Sequence, residues 1–195
     1  TDKFLKKNKF EKKIIIGTVA NVNPAKGLDT FIKAKKELSL FDKEIIFIIV
    51  GSVTRSQKKY YSYLCSIIKN EDINNIYFVN SRKDVRPLLK SFDIYVCSSD
   101  NEASPLSVWE AMSMKKAIVS TDVGDIGKFI KNGFNGYLVK VGDEIALAKK
   151  IKKLVLNLNL RKKFGKLARK TATDRLDLKI CSRLHLNTYQ SIFNK

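Results

Sequence analysis

Short runs of apolar residues, many of them β-branched, recur along the chain between polar turns. The first run, IIIGTVA, has the β-branched composition of a buried strand. Runs of this kind predict six strands, at residues 14–20, 44–51, 75–80, 93–99, 117–124 and 136–140. Because these runs do not alternate between apolar and polar residues, they indicate a parallel sheet that is covered on both faces.

Segments with the apolar spacing of a helix separate these strands. Leu28, Phe31 and Leu38 form one such stripe, and Asp143 is placed to cap a later helix. The predicted helices are at residues 28–38, 58–70, 84–91, 106–114, 126–133 (ended by Gly133) and 143–157. This alternation predicts an α/β fold, a Rossmann-like doubly wound parallel six-stranded sheet, whose ligands bind beyond the carboxyl ends of the strands.

From residue 158 onward the pattern predicts helix alone. We therefore expect a linker or extension at 1–13, a Rossmann-like domain at 14–157, and extra C-terminal helices at 158–195 that pack on it. Between Glu144 and Asp174 there are ten Lys or Arg residues and no acidic residue. The basic 149–170 face is either a solvated surface or a surface for anionic lipid. No nucleic acid is expected, because no RNP, helix-turn-helix or zinc-finger pattern occurs.

Composition narrows the class of protein. The 195 residues are 44% hydrophobic, enough for a real core, and the net charge of +19 favours anionic partners. Cys65, Cys97 and Cys181 are widely spaced, which indicates reduced thiols in a cytoplasmic protein. A peripheral position at the inner face of the membrane would follow if the basic face binds lipid. The basic start, TDKFLKKNKFEKK, lacks an initiating Met and favours a segment of a longer protein.

Two carboxylates stand eight residues apart in the stretch from Ser98 to Gly124. Glu102 lies in a polar loop, and Glu110 lies in the helix that follows. Such a pair suits a ligand with hydroxyl groups, and at first also suggests general acid–base chemistry. The alternative is a solvated loop glutamate beside an ordinary surface glutamate, and spacing alone leaves the alternatives open.

The start of that helix is a candidate anion site. Pro105 suits a first turn, and Ser104 before it is predicted to be the N-cap. The backbone amides of Leu106 and Ser107 would then be unpaired, as amides at a helix N-terminus are. In the loop after the first strand, the Lys26 ammonium could neutralise a diphosphate, and Gly27 would let the backbone approach closely.

Several familiar sites are missing from the sequence. There is no G-x-G-x-x-G after the first strand and no G-x-x-x-x-G-K-[ST], which argues against NAD binding and against a P-loop NTPase. His185 is the only histidine, has no metal-ligand spacing around it, and lies far from both glutamates along the chain. No Asp-x-Asp motif occurs either, so the sequence predicts neither a catalytic triad nor a simple metal–diphosphate clamp.

Five motifs occur in a characteristic order: VANVNPAKGLDTFIKA, IIVGS, EASPLSVWEAM, AIVSTDVG and GFNGYLV. Over residues 14–192 this chain resembles the donor-binding, C-terminal half of the retaining GT-B glycosyltransferases of family 4, the glycosyl transferases group 1. The resemblance implies a hexosyltransferase that uses a UDP-, GDP- or ADP-sugar as substrate, with no cofactor and no metal. The acceptor, a glycan or lipid-linked acceptor, would bind a missing N-terminal domain, so we expect poor activity from this chain alone.

The resemblance also implies residue roles. Lys26, with Gly27 beside it, would hold the diphosphate and stabilise the leaving group, as a catalytic cation. Glu102, the second residue implied in catalysis, would lie beside the donor sugar, and Glu110 would bind the ribose hydroxyls. The remaining implied contacts are phosphate or sugar at Pro105, Leu106 and Ser107, and the base at Asn80, Ser81 and Arg82. The two glutamates thus become ligand-holding groups rather than an acid–base pair.

Some positions depart from the family pattern. Many members carry Arg where this chain has Asn21, and their Gly-Gly after the fifth strand is Gly124-Asp125 here. The following Pro-Glu is replaced by Gly127-Lys128, and Lys115 replaces a glycine. These departures leave a second hypothesis open, in which the chain is a non-catalytic transferase-like module that binds a nucleotide or a protein partner. A third hypothesis is a basic protein of membrane or nucleic-acid surfaces.

Overall fold

The computed structural model describes Phe4, Phe10 and residues 12–193. One parallel sheet forms its centre, with strands β1 (Ile14–Val19), β2 (Ile45–Val50), β3 (Ile76–Val79), β4 (Ile94–Cys97), β5 (Ala117–Thr121) and β6 (Tyr137–Val139). The strands are arranged in the order β3-β2-β1-β4-β5-β6, and every pairing is parallel. The predicted Rossmann-like doubly wound sheet is therefore confirmed.

Helices cover both faces of the sheet. They are α1 (Leu28–Lys36), α2 (Lys58–Asn70), α3 (Arg86–Ser91), α4 (Leu106–Ser113), α5 (Ile126–Phe129), α6 (Glu144–Val155), α7 (Leu158–Arg175) and α8 (Leu178–Phe193). The core on one face includes side chains of α1, α2 and α6, and the core on the other includes those of α3, α4 and α5. Helix α7 reaches both, since Phe164 belongs to the first core and Ala168 to the second.

The order of the strands fixes where a ligand can bind. Strand β1 pairs with β2 on one side and with β4 on the other, so the chain reverses its direction of winding between β1 and β4. The loops that follow these two strands diverge to opposite faces and leave a crevice at the carboxyl edge of the sheet. Lys26 follows β1 and Glu102 follows β4, so the topology alone brings both loops to this crevice.

The segment after β5 differs from its prediction. Helix α5 ends at Phe129, whereas the sequence predicted helix to Gly133. The buried side chain of Asn135 accepts from the Lys131 amide (2.7 Å) and donates to Phe129 O (2.9 Å) and Thr171 Oγ1 (3.0 Å). Because this side chain satisfies backbone groups that a longer helix would have paired, the helix stops early.

The two C-terminal helices differ in how they contact the rest of the fold. Helix α7 packs closely on the sheet end, because Gly165 lies so near Lys115 that a Cβ there would be 2.1 Å from Lys115 O. Helix α8 buries none of its side chains among the described residues. The predicted domain bounds stay a prediction, and most of the predicted extension at 1–13 lies outside the described residues. Among the helices that the structure describes, none has the length and apolarity needed to cross a membrane.

Candidate functional site

A cleft of about 400 Å³ opens at the carboxyl edge of the sheet. It brings together seven predicted site residues, namely Lys26, Ser81, Arg82, Glu102, Pro105, Leu106 and Ser107. The cleft is also lined by residues that the sequence did not single out as binding groups: Val19, Ala20, Asn21, Val50, Gly51, Val85 and Ser104. Gly27, Asn80 and Glu110 lie outside this lining. Seven of the predicted residues thus line one cleft, and the other three lie at or beyond its margin.

An ion pair lies within the cleft. Lys26 Nζ is 2.8 Å from Glu102 Oε1, and Ser99 Oγ donates to the same oxygen at 2.8 Å. The two charged side chains are 28% and 14% exposed, so a ligand can reach both while water is partly excluded. Ser99 was not predicted, and its signal in the sequence was only its position three residues before Glu102. The pair holds a cation and an oriented carboxylate side by side.

Gly27 explains how the loops after β1 and β4 come so close. It adopts a left-handed conformation (φ +52°), and a Cβ there would lie 2.1 Å from Ser98 O. Around it, Ser98 Oγ donates to Lys26 O (3.1 Å) and the Asp100 amide donates to Ala25 O (2.9 Å). Only glycine fits this conformation and this contact, so Gly27 positions Lys26 without lining the cleft.

A third loop, after β5, supports Glu102 from the other side. Gly124 is also left-handed (φ +53°), and a Cβ there would lie 2.3 Å from the carbonyl oxygens of Glu102 and Ala103. The Asp125 amide donates to Ala103 O (2.9 Å), while its carboxylate pairs with Lys128 at 2.7 Å. Asp125 therefore supports the Glu102 loop through its backbone, a contact for which its side chain is not needed.

The predicted N-cap at Ser104 is wrong. Helix α4 begins at Leu106 with Pro105 in the N-cap position and no side-chain cap. The Ser104 hydroxyl instead accepts a hydrogen bond from Trp109 Nε1 (3.1 Å), which occupies the group that would have capped the helix. Within the described part of the chain, the amides of Leu106 and Ser107 have no acceptor, and both residues line the cleft. This uncapped start is a partial positive charge at the site.

Two polar residues, one beside the cleft and one in its lining, differ in their contacts. Glu110 lies four residues after Leu106, so it is on the same side of α4, and it is exposed. Its carboxylate has no hydrogen-bond or ionic partner among residues 12–193. Asn21 lines the cleft, but its Oδ1 accepts from Ser52 N (3.2 Å) and Ser52 Oγ (2.9 Å). Asn21 therefore joins two loops and brings no charge to the site.

The floor beneath the cleft is neutral. Burial raises the pKa of the Tyr95 hydroxyl well above its ordinary value and raises the pKa of the Cys97 thiol. The charged side chains at the cleft are Lys26, Arg82 and Glu102, together with the positive start of α4. No cluster of three potential metal ligands occurs in the part of the chain that the structure describes. The net field at the site favours an anionic ligand.

A larger cleft of about 530 Å³ lies elsewhere, beside α3 and Met114. Its main charged groups, Asp84 and Arg86, pair with each other at 2.7 Å, and the hydrogen bond from Arg86 lowers the pKa of Asp84. Lys90 also lines this cleft, but the loops after β1 and β4 do not, so it lies away from the switch point of the sheet where ligands of such folds bind. The smaller cleft is the better candidate.

Comparison with known proteins gives consistent matches. A family model described as Glycosyl transferases group 1 matches residues 1–171. The chain is 30% identical over 196 residues to the uncharacterized glycosyltransferase MJ1069 of Methanocaldococcus jannaschii, covering 96% of this chain and 48% of that protein. It is 26% identical over 189 residues to N,N'-diacetylbacillosaminyl-diphospho-undecaprenol alpha-1,3-N-acetylgalactosaminyltransferase of Campylobacter jejuni, covering 97% and 48%. The chain thus spans about half the length of these relatives.

The solved structures agree on the fold. Alr3699/HepE from Anabaena, solved in complex with UDP, superposes with a TM-score of 0.90 at 21% identity, covering 97% of this chain and 52% of that one. The same Anabaena protein has also been solved with UDP-glucose. This likeness confirms the predicted fold, one half of a GT-B architecture. Since the family match extends over most of the chain, the protein belongs to the glycosyl transferases group 1 family.

Proposed function

We propose that this chain is the donor-binding domain of a retaining glycosyltransferase. It would move a hexose from a nucleoside-diphosphate sugar to a glycan or lipid-linked acceptor. The observation that carries the proposal is the Lys26–Glu102 pair, which lies in one cleft with the uncapped start of α4 at the switch point of the sheet. A nucleotide-sugar presents phosphates and hydroxyls next to each other, and this cleft offers a matching group for each.

The phosphate contacts come from positive groups. The Lys26 ammonium and the amides of Leu106 and Ser107 would bind the diphosphate, since helix N-termini favour anions. As the bond to the sugar breaks, negative charge grows on the departing phosphate. Fixed positive groups stabilise that charge without reorganising, which is the kind of electrostatic term that often dominates catalysis. No protein side chain needs to change protonation for this step.

The hydroxyl contacts come from the carboxylates. Glu102, oriented by Ser99, would accept hydrogen bonds from the donor sugar, and Glu110 would accept from the ribose hydroxyls. Ser81 and Arg82 line the far side of the cleft, where they would contact the base. In this arrangement Lys26 moves from Glu102 to phosphate when the donor binds, so Glu102 becomes free to accept from the sugar.

The relatives suggest which donor and acceptor to test first. HepE is a structural neighbour solved with UDP and UDP-glucose, so a uridine donor is the first candidate. The Campylobacter relative is named for a diphospho-undecaprenol acceptor, which supports a lipid-linked acceptor. Because the chain spans 48% of that relative, the acceptor half would lie outside it, and this domain alone would transfer sugar poorly.

A thermal-shift panel tests the proposal. UDP, GDP, ADP and UDP-glucose at millimolar concentration are each added to the 195-residue chain, and a donor that binds the native state should raise Tm. Lys26→Ala and Glu110→Ala should abolish the rise, whereas the exposed controls Lys59→Ala and Glu37→Ala should retain it. An unchanged Tm with every nucleotide would overturn the proposal.

A second candidate, a nucleotide-binding module without turnover, is favoured by Asn21. Its side chain is engaged by Ser52 and supplies no cation where many family members have arginine. The discriminating measurement is sugar transfer by the full-length protein that contains this chain. Nucleotide binding without transfer from any donor would support the module, and measurable transfer would support the enzyme.

A further inference from the structure

At the junction of α6 and α7, exposed lysines surround exposed leucines. We call it the basic corner and define it by Lys149, Lys153, Lys162, Lys163, Leu156 and Leu158. All four lysines are exposed, and the leucines are 65% and 50% exposed. Leu40 is 91% exposed. The next residue, Phe41, lies beside α6, since Lys152 Nζ is 5.5 Å from its ring. Leu40 is therefore close to the basic corner.

Acidic residues do not neutralise this charge. Between Glu144 and Asp174 the sequence has ten Lys or Arg and no acid. Of these ten cations, Lys170 alone forms an ion pair within the described part of the chain, with Asp174 at 2.8 Å. A surface with many cations and so few counter-charges attracts an extended anionic partner rather than a small ligand.

Hydrogen bonds fix the turn between α6 and α7 and so hold its two leucines in solvent. Arg161 Nη1 donates to Leu154 O (2.7 Å) and Val155 O (2.9 Å), which closes the end of α6. Asn157 caps α7 by accepting from the Leu160 amide at 2.8 Å. These bonds hold Leu156 and Leu158 on either side of Asn157, at the apex of the turn, where neither can fold back into the core.

We propose that the basic corner docks on an anionic lipid bilayer. The lysines would contact headgroup phosphates, while Leu40, Leu156 and Leu158 would enter the boundary between headgroups and acyl chains. Nucleic acid fits less well, because single strands need aromatic rings for stacking. The rings nearest this surface, Tyr137 and Phe41, are covered by Lys150 and Lys152.

The corner lies away from the candidate donor site. Gly165 of α7 contacts Lys115, just before β5, so α7 crosses the amino edge of the sheet. The donor cleft is at the carboxyl edge, beyond the ends of β1 and β4. A domain docked through its corner would therefore keep the cleft open. Lipid binding and nucleotide binding should be independent, and lipid binding does not rest on the proposed function.

Vesicle co-sedimentation tests the proposal. The chain is mixed with phosphatidylglycerol–phosphatidylcholine vesicles or with pure phosphatidylcholine vesicles, with and without UDP. Binding is expected on the anionic vesicles alone, unchanged by UDP and reduced by salt. A variant with Lys149, Lys153, Lys162 and Lys163 each changed to Gln should bind at least about tenfold more weakly, since each cation near the surface contributes to affinity.

A matched control separates the corner from diffuse charge. Changing Arg55, Lys58, Lys59 and Lys69, at the β3 end of the sheet, to Gln removes the same charge and should change affinity less than about threefold. Leu40→Ser with Leu156→Ser should weaken vesicle binding at high salt, while Leu178→Ser on α8 should not. Three results would each overturn the proposal. They are equal losses in both lysine variants, equal binding to neutral vesicles, and tighter binding to duplex DNA through the same lysines.

Discussion

The two edges of the sheet carry positive charge in opposite ways. At the carboxyl edge Lys26 lies in a cleft, paired with Glu102 at 2.8 Å and held by loops that pack on left-handed glycines. At the amino edge the lysines of the basic corner are exposed and have no acidic partners in the described structure. A partnered charge inside a cleft can recognise one small molecule, whereas an array of exposed lysines without acidic partners suits an extended surface. The difference teaches that net charge alone does not identify a partner.

The largest expected effect is on the carboxyl edge. Gly124→Ala should lower the free energy of unfolding by about 3–4 kcal/mol, because the left-handed conformation disfavours a Cβ and the Glu102 and Ala103 carbonyls obstruct it. The matched control is Gly133→Ala, at φ +79° with nothing within 4 Å, which should cost about 1 kcal/mol. Urea unfolding measures both. Equal costs would show that the loop contact contributes nothing.

At the amino edge the comparable substitution is Gly165→Ala. Alanine favours a helix, yet a Cβ would lie 2.1 Å from Lys115 O, so α7 must shift and stability should fall by about 2–3 kcal/mol. Lys166→Ala, an exposed neighbour in the same helix, should change stability by less than about 0.5 kcal/mol. A Gly165→Ala protein that is more stable than the wild type would show that α7 does not depend on this approach.

The Lys26–Glu102 pair can be tested by separating its charges. Glu102→Gln should leave UDP binding unchanged or strengthen it by up to about 1 kcal/mol, because Lys26 no longer has to leave a carboxylate. The same variant should reduce the advantage of UDP-glucose over UDP, since the sugar loses its acceptor. Glu110→Gln, as the control, should weaken both ligands equally. Isothermal titration calorimetry distinguishes the two patterns.

A similarly small effect is expected from Ser99. Ser99→Ala removes the 2.8 Å hydrogen bond that orients Glu102, which should cost about 1 kcal/mol of stability. It should also weaken the binding of UDP-glucose more than the binding of UDP alone, measured by isothermal titration calorimetry, because only the sugar would contact Glu102. Ser66→Ala, whose hydroxyl bonds to the exposed Tyr63 carbonyl, is the control. An unchanged affinity for UDP-glucose would show that Ser99 does not contribute to donor binding.

The sheet was predictable because each of its strands is a local signal. Six apolar runs with intervening helical stripes were enough to predict the parallel fold, and the order of five motifs was enough to predict the family. The absence of a cap at Ser104 was not predictable. Its hydroxyl accepts a hydrogen bond from Trp109 Nε1, and this contact depends on packing that the local sequence does not show. The early end of α5 depends likewise on Asn135, whose partner Thr171 is 36 residues away.

In the candidate site, too, some features follow from local sequence and others depend on contacts between distant segments. Lys26 and Glu102 became candidates only through the order of the motifs around them, and their 2.8 Å contact depends on β1 and β4 being neighbours in the sheet. Ser99 and Asn21 were missed as contributing groups, since a serine after a strand and an asparagine in a turn are common. Their contacts with Glu102 and Ser52 appear only once the loops are brought together.

The Trp109–Ser104 hydrogen bond has an optical consequence. Trp109 is the only tryptophan of the chain, it is 8% exposed, and its indole donates to a residue that lines the cleft. Its ring also meets Phe129 edge-on at 5.0 Å, just beyond the loop that supports Glu102. Tryptophan fluorescence of the unlabelled protein therefore comes from one indole at the wall of the cleft, so a titration with unmodified nucleotide can be followed without a dye.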